Sequence, residues 1–179
     1  MAKIYHFISG MPRAGSTLLA NILVQNPRFY CAGAPGLLDL IVSTRNQWNQ
    51  VPSLRDSGDE SARNRLLRGM LDAYYLSTDR PVIFDRSRDW PGYIPLAEML
   101  LKRKLKILCP VRDVRDTLAS LEQSWRSVCA VRQTPQEAEF ETEYQTLDGR
   151  LSTWAKPDQL VGRTYNRIKN ALQQGFRDR

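Results

Sequence analysis

Short apolar runs and longer helical periodicities take turns along this chain. Lys3–Ser9 reads as a strand, as do Arg28–Cys31, Val82–Asp85 and Leu105–Val111. Between them the spacing predicts helices over Ser16–Gln25, Gly36–Trp48, Glu60–Tyr75 and Tyr93–Leu101, with a turn leading into a helix over Arg112–Trp125. The apolar runs in Val82–Phe84 and Ile107–Val111 suit strands covered on both faces. Strand–helix alternation implies right-handed βαβ units. The expected fold is α/β, a P-loop-containing three-layer arrangement with a central parallel sheet flanked by helices, formed by residues 1–179 as a single domain.

Past Ser127 the pattern changes. Thr134-Pro135-Gln136-Glu137 reads as a helix start, followed by an acidic stretch to Tyr144 with little core. Leu151–Pro157 reads as a loop or short helix. Asp158–Gln174 is amphipathic, with Leu160, Val161, Tyr165, Ile168 and Leu172 on one face and Gly175 as its stop. A βα series that ends straight after a helix predicts a missing C-terminal portion. Apolar surface left by a missing strand would favour a homodimer.

The junction between the first strand and the first helix carries the strongest chemical signal. Gly10-Met11-Pro12-Arg13-Ala14-Gly15-Ser16-Thr17 has the spacing of a Walker A phosphate loop, with Ser16 where the lysine belongs. Glycines let the backbone curl close to an anion, and the free N–H groups at a helix start point at it. The positive charge has moved into the loop, to Arg13. A P-loop kinase, or ordinary ATP or GTP hydrolysis, is therefore disfavoured.

Composition narrows the partners. The chain has 26 Lys and Arg against 19 Asp and Glu, a net charge of +7, which favours anionic ligands. No block of consecutive basic residues supports a nucleic-acid tail. No apolar run approaches the roughly 20 residues of a membrane span, and the N-terminus is broken by Pro12, Arg13 and Gly15 before a signal-peptide core forms. Three separated cysteines, Cys31, Cys109 and Cys129, with His6 as the one histidine, argue against a structural zinc site and for reduced thiols in the cytoplasm.

A second motif follows the Leu105–Val111 run. In Val111-Arg112-Asp113-Val114-Arg115-Asp116-Thr117-Leu118-Ala119-Ser120 an arginine ends the strand and a serine stands eight residues on, in the next helix. A guanidinium fork and a hydroxyl so placed can converge on one phosphate at the ligand-binding edge of a parallel sheet. By itself the segment reads equally as an exposed Arg112–Asp116 ion pair.

Together the two segments resemble the sulfotransferases that use 3′-phosphoadenosine 5′-phosphosulfate (PAPS). Pro12–Leu19 is similar to the family's 5′-phosphosulfate loop and Val111–Ser120 to its 3′-phosphate motif, while Val82–Trp90 and Tyr93–Leu96 resemble its bacterial and tyrosylprotein-type branch. The likeness runs from about Ile4 to Trp125. It implies PAPS as donor, PAP as product and no metal. Arg13, Ala14, Gly15, Ser16 and Thr17 would take the 5′ end, and Arg112 and Ser120 the 3′-phosphate. Arg13 would stabilise charge on the leaving oxygens.

The acceptor is expected to be a small molecule, a glycan or a peptide, with neither nucleic acid nor membrane as partner. The family's branch-specific histidine or glutamate base has no counterpart: Cys31-Ala32-Gly33-Ala34-Pro35 holds no carboxylate, and His6 lies in a strand. Asp85 is the expected general base, with Asp39 a distant second. Arg86 and Trp90 are expected at the acceptor, and Trp48, Trp125 and Trp154 are further aromatic faces. Leu18 stands where cytosolic members place an adenine-stacking aromatic. The family's C-terminal strand and basic loop are not found before Arg179. The alternative function is a catalytically incomplete anion-binding module.

Overall fold

The computed structural model describes residues 3–31, 33, 36–128 and 141–175. Its strands are β1 (Ile4–Ile8), β2 (Phe29–Cys31), β3 (Val82–Arg86) and β4 (Ile107–Leu108). They form one parallel sheet in the order β2–β3–β1–β4. Ile4 pairs with Val82 and Ile8 with Arg86, so β1 and β3 end level, and Phe7 and Ile8 pair with β4. The helices are α1 (Ser16–Leu23), α2 (Leu37–Gln50), α3 (Pro52–Ser57), α4 (Glu60–Tyr74), α5 (Ile94–Leu101), α6 (Val114–Val128), α7 (Glu141–Tyr144), α8 (Leu147–Ala155) and α9 (Leu160–Gln173). A 3-10 turn spans Trp90–Tyr93. This is the expected parallel α/β architecture.

Period-2 alternation gives the sheet two apolar faces. Tyr5, Phe7 and Ile83 meet Leu38 and Ile41 of α2, Leu67 and Leu71 of α4, and Ile94 and Leu100 of α5 in the main core. On the other face Ile8, Val82 and Phe84 pack beneath Leu19 and Leu23 of α1. A third cluster joins Met11 of the loop to Trp154 of α8 and Val161 of α9. The caps are local: Asp59 accepts the Ala62 N–H at 2.8 Å to start α4, and Thr146 accepts the Gly149 N–H at 3.0 Å to start α8.

Three expectations are corrected. The strand expected over Leu105–Val111 is only Ile107–Leu108. Backbone pairing does continue past it, Ser9 N–H to Leu108 O at 2.9 Å and Met11 N–H to Pro110 O at 3.1 Å. Pro110 has no N–H to return the bond, so the regular ladder stops. The short helix expected at Leu151–Pro157 begins earlier, because Thr146 caps it at Leu147. The buried face of α9 is Val161, Thr164 and Ala171, whereas Tyr165 and Leu172 are exposed. Thr164 satisfies its hydroxyl on Leu160 O at 2.8 Å, and a Cβ on Gly162 would stand 2.2 Å from Lys156 O, so small residues bring α9 against the α8–α9 turn. The helix start expected at Thr134 lies outside the described residues. Among the described residues no helix is long and apolar enough to cross a membrane.

Candidate active site

The phosphate-type loop leaves β1 at the C-terminal edge of the sheet. Gly10 is required by close approach: a Cβ there would lie 2.4 Å from the Pro110 carbonyl oxygen. Met11 and Pro12 are buried and tie the loop down, while Arg13 is exposed. Arg13 adopts φ 59° and Gly15 φ 87°, two left-handed residues that turn the chain into α1. No side chain caps α1. The Ala14 N–H is turned back to Met11 O at 3.3 Å, so it is spent within the loop. The N–H groups of Gly15, Ser16, Thr17 and Leu18 have no partner among the described residues. Unspent donors at a helix N-terminus form a cradle for an anion.

The distant arginines come to this cradle. Arg13 donates from Nε to Ser120 Oγ at 3.0 Å, and Arg112 donates from Nη1 to the Arg13 carbonyl at 3.0 Å. The residues expected at two anion sites are thus in one connected set, with α6 supplying Ser120 from its exposed first turns. Arg112 does not form the alternative pair with Asp116. Instead Asp113 and Arg115 pair at 3.1 Å, and that bond holds the Asp113 carboxyl down at about 2. Arg86 reaches the cradle from β3, donating from Nη1 to Thr17 Oγ1 at 3.0 Å and from Nε to Gly33 O at 3.1 Å.

Two cavities flank the cradle. One of about 270 Å³ opens beside Ser16 and Thr17 and is lined further by Asp39, Arg86, Arg88 and Arg163. The other, about 340 Å³ and largely apolar, opens beside Arg112 between Met11, Val111, Val114, Ile168 and Leu172.

Asp85 and Trp90 are elsewhere. Asp85 is fully buried, with both carboxylate oxygens occupied: Tyr75 O–H donates to Oδ2 at 2.5 Å and Trp90 Nε1–H to Oδ1 at 2.7 Å. Burial raises its pKa, the two hydrogen bonds opposing, and burial raises that of Tyr75. Trp90 is 1% exposed and its ring lies 4.0 Å from that of Phe7. The structure therefore does not bring the expected base or the expected acceptor tryptophan to the cradle. The cause is the pleat: Asp85 and Arg86 are neighbours on β3 and face opposite sides of the sheet. Trp154 packs in the third cluster, and Trp125 lies 4.0 Å beneath the Arg150 guanidinium.

Sequence reasoning missed Arg88 and Arg163 and ranked Asp39 low. Arg88 carried a signal, sitting two residues after Arg86 in a charged cluster. Arg163 carried none, since one arginine on an amphipathic helix reads as a solvated position.

A strand, an uncapped glycine turn and a helix thus meet an arginine and a serine delivered from a later βα unit. A comparison with curated proteins gives no match. A family model described as the sulfotransferase family matches residues 6–162, from β1 through both phosphate-type segments to the start of α9. The cradle and its converging arginines are thus those of a protein that belongs to the sulfotransferase family.

Proposed function

We propose that this chain moves a sulfonate group from PAPS to a hydroxyl or amine acceptor and releases PAP. The observation that carries this reading is the meeting of Arg13, Arg112 and Ser120 at the uncapped start of α1. The donor supplies two anionic groups and a sulfonate activated by its bridge to phosphate. The unspent N–H groups of Gly15–Leu18, with Arg13, suit the 5′ end. Arg112 and Ser120 suit the 3′-phosphate, and the apolar cavity beside Arg112 suits the purine. Arg86, fixed on Thr17, stands where charge grows on the sulfonate oxygens, and a preplaced guanidinium there favours the transition state over the ground state.

Asp39 takes the place that Asp85 loses. It lines the cavity beside Ser16 and Thr17, on the exposed face of α2, and can accept the acceptor's proton. Calorimetry with PAP tests the donor site. Arg112→Ala should weaken PAP by about 10- to 100-fold, the worth of one charge-assisted hydrogen bond. No binding by the unmodified protein, or indifference to Arg112→Ala, overturns the reading. The burial of Asp85 favours a second reading, a PAP binder without turnover. Asp39→Asn separates the two: it should keep PAP affinity and lower sulfonate transfer about 100-fold or more, whereas unaltered transfer would remove Asp39 from the mechanism.

A further inference from the structure

The cavity beside Ser16 and Thr17 carries positive charge that its own acids do not meet. Arg86, Arg88 and Arg163 line it, with Asp39 and Asp89 as the acids. Asp89 is ion-paired with Arg167, which leaves Asp39 to balance the three arginines. Arg86 is held by Thr17 and Gly33. The guanidiniums of Arg88 and Arg163 have neither a hydrogen bond nor an ion pair among the described residues. They are nonetheless close: burial first, then Arg163 and Arg86, lower the pKa of Arg88. Arg88 and Arg163 are both exposed where they line the cavity, so a ligand can reach them. Like charges gathered at one cavity wall repel unless an anion sits between them.

The volume limits that anion. About 270 Å³ lies just under the usual range for drug-sized ligands, so a single ring fits. Guanidinium forks match carboxylates in a planar, bidentate way. We infer that the acceptor is a hydroxylated carboxylate about one ring in size, with its carboxylate between Arg88 and Arg163 and its hydroxyl at the mouth of the cradle by Ser16 and Thr17. This rests on the sulfotransferase reading of the cradle. In the transfer the hydroxyl oxygen forms the new bond to sulfur. The bond from sulfur to the bridging 5′-phosphate oxygen breaks, its electron pair stays on that oxygen, and the hydroxyl proton passes to Asp39. The two arginines act on the acceptor alone, and Arg86 on the moving group.

The experiment titrates matched pairs of probes into the protein saturated with PAP. One pair is 4-hydroxybenzoate and 4-hydroxybenzamide; the other is methyl glucuronide and methyl glucoside. The first reports an aromatic source of the carboxylate and the second a sugar acid. In at least one pair the carboxylate should bind about tenfold or more tightly than its neutral partner, as a charge-assisted contact requires. Arg88→Gln and Arg163→Gln should each erase most of that preference and leave PAP affinity within about twofold, while Arg163→Lys, which keeps charge without the fork, should retain part of it. Equal binding of carboxylate and neutral partner in both pairs overturns the inference. So does an Arg163→Gln variant that loses PAP as Arg112→Ala does, because the arginines would then belong to the donor site. Failure of PAP to bind, with the carboxylate preference intact in its absence, would break the donor reading and leave the carboxylate site standing.

Discussion

Strands β1 and β3 lie side by side and end level, yet their C-terminal ends are chemically opposite. The end of β1 opens into a loop whose donors are unspent: the Gly15–Leu18 N–H groups have no partner among the described residues, and Arg13 is exposed. The end of β3 closes on Asp85, which has no exposed surface and a donor on each oxygen. Both carry residues that look functional in a sequence. The one with hydrogen-bonding capacity left over can bind a ligand. The other has used its capacity on Tyr75 and Trp90 and holds the core together.

The most disruptive test of this contrast is at Asp85. Asp85→Ala orphans two buried donors, at about 1–3 kcal/mol each, so stability in a urea titration should fall by about 3–5 kcal/mol, while the folded fraction keeps its PAP affinity. Lost binding without lost stability would return Asp85 to the active site. Gly10→Ala acts on the other side of the contrast. Its new Cβ meets Pro110 O, and the two segments must part, costing about 1–3 kcal/mol as overpacking does. Because the loop itself moves, PAP affinity should fall with stability, the opposite of the Asp85 outcome.

The smallest effect is a pH dependence that belongs to neither strand end. Glu122 is buried between α6 and α8, where Arg150 donates to both its oxygens at 2.7 and 2.6 Å and Arg126 to one at 2.7 Å. The Arg150 bonds chiefly hold its carboxyl down at about 2. A carboxylate lowered by folding contributes stability that is present above its ordinary value near 4.5 and is lost as pH falls towards 2. Thermal melts between pH 6 and pH 3 should show that loss in the unmodified protein and a flatter profile in Glu122→Gln. Equal slopes would mean that the pair forms in the unfolded state too, or not at all.

The hydrophobic pattern was enough for the two central strands of the sheet. The apolar runs at Ile4–Ile8 and Val82–Phe84 and the helices α1, α2 and α4 follow from local periodicity, because each element must bury one face whatever the neighbours are; α3, with no buried residue, left no such pattern. The cradle was legible for a similar reason: glycine spacing and an arginine inside the loop constrain the backbone locally. Arg112 and Ser120 were legible as a pair through their spacing on one strand–helix unit. Asp85 was misread because alternation tells which residues share a face, but not which face looks at the ligand. The buried stripe of α9 was misread because Thr164 hides its hydroxyl on Leu160 O, so a count of apolar residues passes over it.

By itself the amino-acid sequence determined the parallel α/β architecture, the glycine turn at Gly10–Thr17 and the strand–helix unit that carries Arg112 and Ser120, since all three are short-range patterns of backbone freedom, period and charge. The tertiary structure alone decided that Asp85 is walled in by Tyr75 and Trp90, that Arg86 reaches Thr17, and that Arg88 and Arg163 face one cavity. Those outcomes depend on how β3 is flanked and on α9 packing against the Trp90–Tyr93 turn. They bring together residues far apart in the chain, and no local pattern encodes such a meeting.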